Sequence, residues 1–196
     1  MLRSKWSKAF VWLLCLVPAL WFTYGAFTNN LGPNPIEAIT RGTGDWTLRL
    51  LLASLAITPA RRLLGVPDLI RFRRMLGLWA FFYAFLHLMT WVWLDKFFDP
   101  AEMWADVVKR KFVTAGMAGF LCLLPLAITS TTGWIRRLGK NWQRLHRLAY
   151  LAAAAGVVHY WWLVKSDIRL PAMYGLILIA LLSLRFVNKR PAPASR

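Results

Sequence analysis

Six apolar runs separated by polar loops organise this chain, at residues 9–27, 46–60, 75–94, 112–135, 148–164 and 170–187. An α-helix needs roughly 20 mostly apolar residues to cross a bilayer, so the pattern predicts an all-α, polytopic membrane bundle of about six transmembrane helices. The second and sixth runs are the weakest, because each is short and carries an arginine near one end, Arg49 and Arg185, that must snorkel to the interface. Between the first two runs, "NNLGPNPIEAITRGTGDW" holds the Gly, Pro and Asn that break helices, and "NPIE" predicts a short interfacial turn. The loop "DKFFDPAEMWADVVKRKF" mixes charges with aromatics, which predicts an amphipathic helix on the outer surface.

Composition changes the picture only by confirming the solvent: a chain 58% hydrophobic with 12 tryptophans is too apolar for an ordinary soluble domain. Its net charge of +17 first suggests a nucleic-acid partner. Sorted by loop, however, the charges alternate. With the amino terminus inside, the cytoplasmic segments hold 17 basic residues and one acid, Asp68, while the outer segments hold 8 basic residues and 7 acids. That is the positive-inside bias of a membrane protein with both termini cytoplasmic, and nucleic-acid binding does not explain it.

The first run is long and lacks a small-x-small cleavage site, so it is expected to stay as a helix and not to be removed as a signal peptide. Residues 1–187 then form a single transmembrane domain, and residues 188–196 a short disordered tail. Cys15 and Cys122 stand alone inside spans, in no spacing that suits a metal site or a disulfide framework, and are expected to pack in the core. On the inner side, "RRLLGVPDLIRFRR" and "STTGWIRRLGKNWQRLHR" are dense in arginine. Such segments hold topology and touch anionic membrane lipid, and their arginines also suit cofactor carboxylates or an acidic partner.

All three histidines fall in or at spans, where polar groups usually face the bundle interior. The third and fifth spans run in the same direction. His87 and His159 are followed by seven and five residues before the charged ends of these spans, Asp95 and Lys165, and so lie at similar depth near the outer surface. Two imidazoles at equal depth on separate helices are what a haem iron clamped from both faces requires. Each histidine taken singly also suits a structural hydrogen bond between helices. No Asp or Glu falls within the six runs, so a proton relay lacks its carboxylates.

His146 lies 13 residues before His159, about 20 Å along the helix, near the other membrane face. A 13-residue step turns by about 220°, so the two face one groove only if the helix distorts between them. The residues 13 and 14 before His87 are Arg74 and Arg73. Arginine is a poor iron ligand but grips propionates well, which makes Arg73 and Arg74 candidate contacts for haem propionates or an inner haem. Between the histidines, "LAAAAGVV" suits tight helix packing and the approach of a flat ring alike. Trp91, Trp93, Trp161 and Trp162 suit an interfacial belt, or a wall around a cofactor.

The six spans in order, with "NPIEAITRGTGDW", "KRKFVTAG", "TSTTGWIRRLGKNWQRLHRLAY" and "HYWW", resemble the MsrQ (YedZ) family over nearly the whole chain. That family is the haem-binding membrane subunit of bacterial MsrPQ systems, in the ferric-reductase-like transmembrane superfamily with the NADPH oxidases and STEAP proteins. Those relatives stack two haems between the third and fifth helices, on histidines 14 apart on one helix and 13 apart on the other. The resemblance implies that His87 and His159 hold an outer haem iron and His146 an inner one. The fourth superfamily position falls on Arg73, a departure from the oxidase pattern, and Lys111 stands where proline is expected.

It further implies a bacterial inner-membrane subunit that passes electrons through haem b, with FMN as a further cofactor for which the chain offers no motif. The acceptor implied is MsrP, a periplasmic molybdoenzyme that reduces methionine sulfoxide in proteins, a reaction the membrane subunit does not itself perform. No dinucleotide fingerprint is present and no soluble domain follows the sixth span, so quinol or a cytoplasmic flavin reductase is the expected donor. The competing readings are a non-redox anchor and a small transporter, in which the histidines are structural.

Overall fold

In the computed structural model, which describes residues 4–187, the chain is all-helical, 85% helix with no strands among the described residues. The order is α1 (Lys5–Phe27), α2 (Pro35–Leu63), α3 (Ile70–Met89), α4 (Pro100–Lys109), α5 (Lys111–Ile128), α6 (Thr132–Leu138), α7 (Lys140–Leu145), α8 (Leu148–Leu163) and α9 (Arg169–Val187). Three segments are long and apolar enough by themselves to cross a membrane: α1, the stretch Pro67–Asp95 that contains α3, and α5. The tail at 188–196 lies outside the described residues.

Two helix pairs form the body: α2 packs along α3 and α5 along α8, with α9 closing against α8 and α2. The core is their shared seam, Leu48, Leu51 and Leu55 of α2, Leu76, Trp79 and Tyr83 of α3, Leu123 of α5, and Ala152 and Ala153 of α8. The small run of α8 serves helix packing on one face. A Cβ on Gly119 would already touch Ala155 Cβ at 3.4 Å.

α2 begins three turns before the predicted span, and this is the main departure from the sequence reading. The reason is local: the Asn34 side chain accepts from Glu37 N–H (3.2 Å) and donates to its carboxylate (3.1 Å), with Pro35 in the first turn. "NPIE" therefore starts the helix outright. The same helix then runs through Gly42 and Gly44 and carries Asp45 into the bundle.

A buried phenol helps tie α1 to α3. Pro18 lies inside α1 and has no N–H, which loosens the ladder there. Tyr83 of α3, fully buried, inserts its hydroxyl beside it, donating to Cys15 C=O (2.7 Å) and accepting from Ala19 N–H (3.0 Å). Tyr83→Phe is expected to cost about 1–2 kcal/mol, the cost of losing buried hydrogen bonds. Thermal unfolding in detergent measures it, and an unchanged melting temperature would show that the wedge is only packing.

The predicted outer amphipathic helix is α4, started by Asp99, whose carboxylate accepts from Ala101 and Glu102 N–H (2.8 and 3.2 Å). A turn of π-helix, Thr90–Asp95, extends α3 towards it, and Lys96 then meets Asp106 of α4 at 3.0 Å. Burial pushes the Asp106 carboxyl up, but the hydrogen bond from Lys96 and the charges of Arg110 and Lys96 outweigh it and hold it below its usual 3.8. Its contribution is therefore fully present above that usual value and lost as pH falls through the lowered one. Hydrogen exchange of α4 amides should rise in that acid range in the wild type. In Asp106→Asn it should be fast already at neutral pH, and the acid step should vanish.

Candidate functional site

His87, in the last turn of α3, and His159, in the last two turns of α8, come together across the bundle. Their ring centroids are 5.9 Å apart with the planes at 82°. Each ring is held by a main-chain carbonyl: His87 Nδ1 lies 2.8 Å from Thr40 O, and His159 Nδ1 lies 2.6 Å from Phe112 O. A carbonyl only accepts, so Nδ1 is the protonated nitrogen in both rings. Nε2 of each is left as a lone-pair donor for a metal.

Both carbonyls sit inside helices, where they already accept from the next turn. A helical side chain covers the turn on its N-terminal side, so residue i+4 shades the carbonyl of residue i. In both places residue i+4 is glycine, Gly44 after Thr40 and Gly116 after Phe112. A Cβ on Gly44 would lie 3.1 Å from His87 Cε1, and one on Gly116 only 2.7 Å from His159 Nδ1. The same construction is thus used twice: carbonyl, glycine four residues on, and histidine 47 residues after the carbonyl. In residue identity the repeat shows only as a glycine 43 residues before each histidine, because its third element is a backbone atom.

A cavity of about 680 Å3 contains both imidazoles, within the roughly 300–1,000 Å3 of cofactor pockets. Its wall is apolar in the middle, with Leu48, Leu51 and Phe120, and thinned by Gly119 and Gly156. "LAAAAGVV" therefore faces a neighbouring helix and the cavity together. Polar groups gather at one end, with Arg41, Asp45 and Lys165 in the lining. Asp45 lies 3.5 Å from Arg49, whose Nε donates to the Tyr174 hydroxyl (2.9 Å). Sequence reasoning missed Asp45 and the two glycines. The signal for Asp45 was the cap at Asn34, which lengthens α2 to include it.

Among the four tryptophans, Trp91 lines this cavity, whereas Trp93, Trp161 and Trp162 are largely exposed. Arg185 spreads its guanidinium over the Tyr150 ring, 4.8 Å from the centroid.

His146 stands apart from this pair, at the break between α7 and α8. That break supplies the distortion that a 13-residue step demands. Trp142 stacks on the His146 ring (3.8 Å between centroids) and donates its indole N–H to Thr129 O (2.9 Å), which pins α7 to the end of α5. His146 Nε2 lies 3.4 Å from Thr129 Oγ1. The structure separates the two arginines. Arg73 turns inward, 3.3 Å from Thr58 Oγ1 and within electrostatic reach of His146, while Arg74 faces a groove between α1 and α3.

The outer pair fits a haem. Metal–imidazole bonds of about 2 Å place two rings on one iron with centroids roughly 6 Å apart, close to the separation found. No group of three or more His, Cys, Asp or Glu converges among the described residues, so the pair has no further side-chain ligands of the kind that complete a zinc site.

The family model described as "Ferric reductase like transmembrane component" matches residues 43–157, more than half of the chain. A Caulobacter vibrioides protein named "Protein-methionine-sulfoxide reductase heme-binding subunit MsrQ" is 51% identical over 88% of this chain and 82% of its own length. Proteins of the same name from Herminiimonas arsenicoxydans and Rhodospirillum rubrum are 53% and 50% identical, over 91% and 94% of this chain and 83% and 89% of theirs. No solved structure matches. The matched family segment begins within α2 after Thr40 and ends before His159, and it includes Gly44, His87, Phe112, Gly116 and His146. With half of its residues shared over most of both lengths, the chain belongs to the MsrQ family of ferric-reductase-like transmembrane components.

Proposed function

We propose that this chain is a haem b electron-transfer subunit of a protein-methionine-sulfoxide reductase system in the bacterial inner membrane. In this reading residues 1–187 form one domain of six spans with both termini cytoplasmic. The outer pair, His87 and His159, lies near the periplasmic face. The observation that carries the reading is the pair of imidazoles 5.9 Å apart, each with Nδ1 fixed on a helix carbonyl. The names of the relatives, heme-binding subunits, support it independently.

A bound haem supplies a one-electron carrier. The chain's own residues do the rest. His87 and His159 present Nε2 from opposite sides, and the Thr40 and Phe112 carbonyls stop the rings from rotating. Apolar walls around the centre limit water, which tunes a redox potential. Arg41 and Lys165 at the polar end place positive charge where acidic substituents of the macrocycle can be paired. His146, with Arg73 beside it, is the inner place for a second haem, nearer the donor side. Electrons enter from quinol or a cytoplasmic flavin reductase and leave to the periplasmic molybdoenzyme MsrP, which reduces methionine sulfoxide. FMN is a further cofactor in this reading, with no residue assigned to it.

The test is the purified chain in detergent, with its visible spectrum and haem-to-protein ratio. A b-type spectrum that a quinol or a reduced flavin reductase converts to the ferrous form, and that MsrP with methionine sulfoxide returns to the ferric form, is the expected result. Turnover of MsrP supported by haem-free protein would overturn the reading in favour of an anchor. The His146→Ala variant should lower the haem ratio while keeping the outer signal. An unchanged ratio would remove the inner haem.

A further inference from the structure

A second cavity, of about 550 Å3, opens between the N-terminal ends of α1 and α3 and belongs to neither histidine site. Its lining divides by chemistry. Lys8 of α1 and Arg71 and Arg74 of α3 are at the charged end, and Trp12, Leu78 and Phe82 form an apolar wall. Trp12 also meets Trp79 edge to face, with centroids 5.2 Å apart, so the wall is part of the seam between α1 and α3. The apolar side chains are well exposed, at 46% for Trp12, 40% for Leu78 and 37% for Phe82.

The charges run against the helix. An α-helix N-terminus carries partial positive charge and favours anions, yet the first turns of α3 hold Arg71, Arg73 and Arg74. α3 has no acid in its first turn and no side-chain cap. The described lining of the groove holds three cations, Lys8, Arg71 and Arg74, and no Asp or Glu. Such an arrangement is stabilised by an anion that meets both the dipole and the cations.

We propose that this groove seats one anionic phospholipid, its phosphate between Lys8, Arg71 and Arg74 and an acyl chain over Trp12, Leu78 and Phe82. The inference rests on the proposed membrane topology, which places these helix ends at the cytoplasmic headgroup level, but not on haem. A phosphate at the cations and a hydrocarbon chain beyond them match the two ends of the lining, and the volume takes a headgroup with the start of a chain. The lipid ties α1 to α3 at the end opposite Tyr83's wedge. Arg74, a candidate propionate contact in the sequence, belongs on this geometry to the lipid.

The test is native mass spectrometry and thermal unfolding of the full chain in nanodiscs and in detergent, with phosphatidylglycerol or phosphatidylcholine added. The wild type should carry one phosphatidylglycerol, preferred over phosphatidylcholine by on the order of 30- to 100-fold, as two to three interfacial cations give. Lys8→Gln/Arg71→Gln should lose the preference while remaining helical and monodisperse. Arg136→Gln/Arg137→Gln, which removes the same charge from α6, should keep it. Equal loss in both double variants, no preference in the wild type, or displacement of the lipid by soluble glycerol phosphate would overturn the proposal. So would recovery of a quinone or flavin, instead of phospholipid, from wild type but not from Lys8→Gln/Arg71→Gln. Lipid retention is read without haem, so failure of this proposal and failure of the haem reading give separate signals.

Discussion

His159→Ala abolishes the outer haem signal, and His87→Ala does the same: each is expected to lower haem retention at that site by more than about 100-fold, beyond the 10–100-fold typical of losing an outer-shell partner. The reasoning is that neither ring has a neighbour able to replace it. Among the described residues no third His, Cys, Asp or Glu completes a cluster with the pair, and the middle of the cavity is lined by Leu48, Leu51, Phe120 and glycines. The measurement is the low-spin absorption of purified variants, with bound haem counted per protein. Both proteins should remain helical, because the rings contribute one hydrogen bond each to the packing between helices. If both variants keep the wild-type spectrum, the pair is structural, and the 5.9 Å separation is a coincidence of packing.

Gly116→Ala should be nearly as damaging, although it adds one methyl group and touches no ligand atom needed for iron. Its Cβ would stand 2.7 Å from His159 Nδ1, where no atom fits, so the ring must leave the Phe112 carbonyl or α5 must move. Loss of that outer-shell bond frees the ring and is expected to cost roughly 10–100-fold in haem affinity and to shift the potential. Gly44→Ala is milder, because its closest approach to His87 is 3.1 Å. Gly133→Ala, with nothing within 4 Å, is the control. Haem titration of the three variants should rank them in that order. Equal affinity for Gly116→Ala and Gly133→Ala would show that the carbonyl bond does not position the ring.

Much of the helical pattern is readable from hydrophobicity alone. The runs at 9–27, 75–94 and 170–187 correspond to α1, α3 with its π turn, and α9, since long apolar runs leave few alternatives to a helix. The charged and broken stretches are less readable. α2 reads as a loop followed by a short span because Gly42 and Gly44 look like breakers, when one cap at Asn34 and packing on α3 carry the helix through them. The run at 112–135 is in fact α5 and the start of α6, parted at Thr129–Thr131. As for the site, depth counting along the helices brings His87 and His159 to one level. It says nothing of which ring nitrogen is engaged, because main-chain carbonyls leave no trace in residue identity. Likewise Arg73 and Arg74 look equivalent in the sequence, and the 100° between neighbours on a helix sends them to different neighbours.

The two carbonyls that hold the imidazoles have an evolutionary consequence. Every amino acid brings the same carbonyl, so the hydrogen bonds to the two rings do not depend on which side chains stand at Thr40 and Phe112, although the Phe112 ring also meets His159, with centroids 5.9 Å apart. The orientation of the site cannot be lost by exchanging its hydrogen-bond partners, only by filling the space in front of them. Selection on the second layer of this centre therefore acts on vacancy, at positions 44 and 116, where each added atom is a defect.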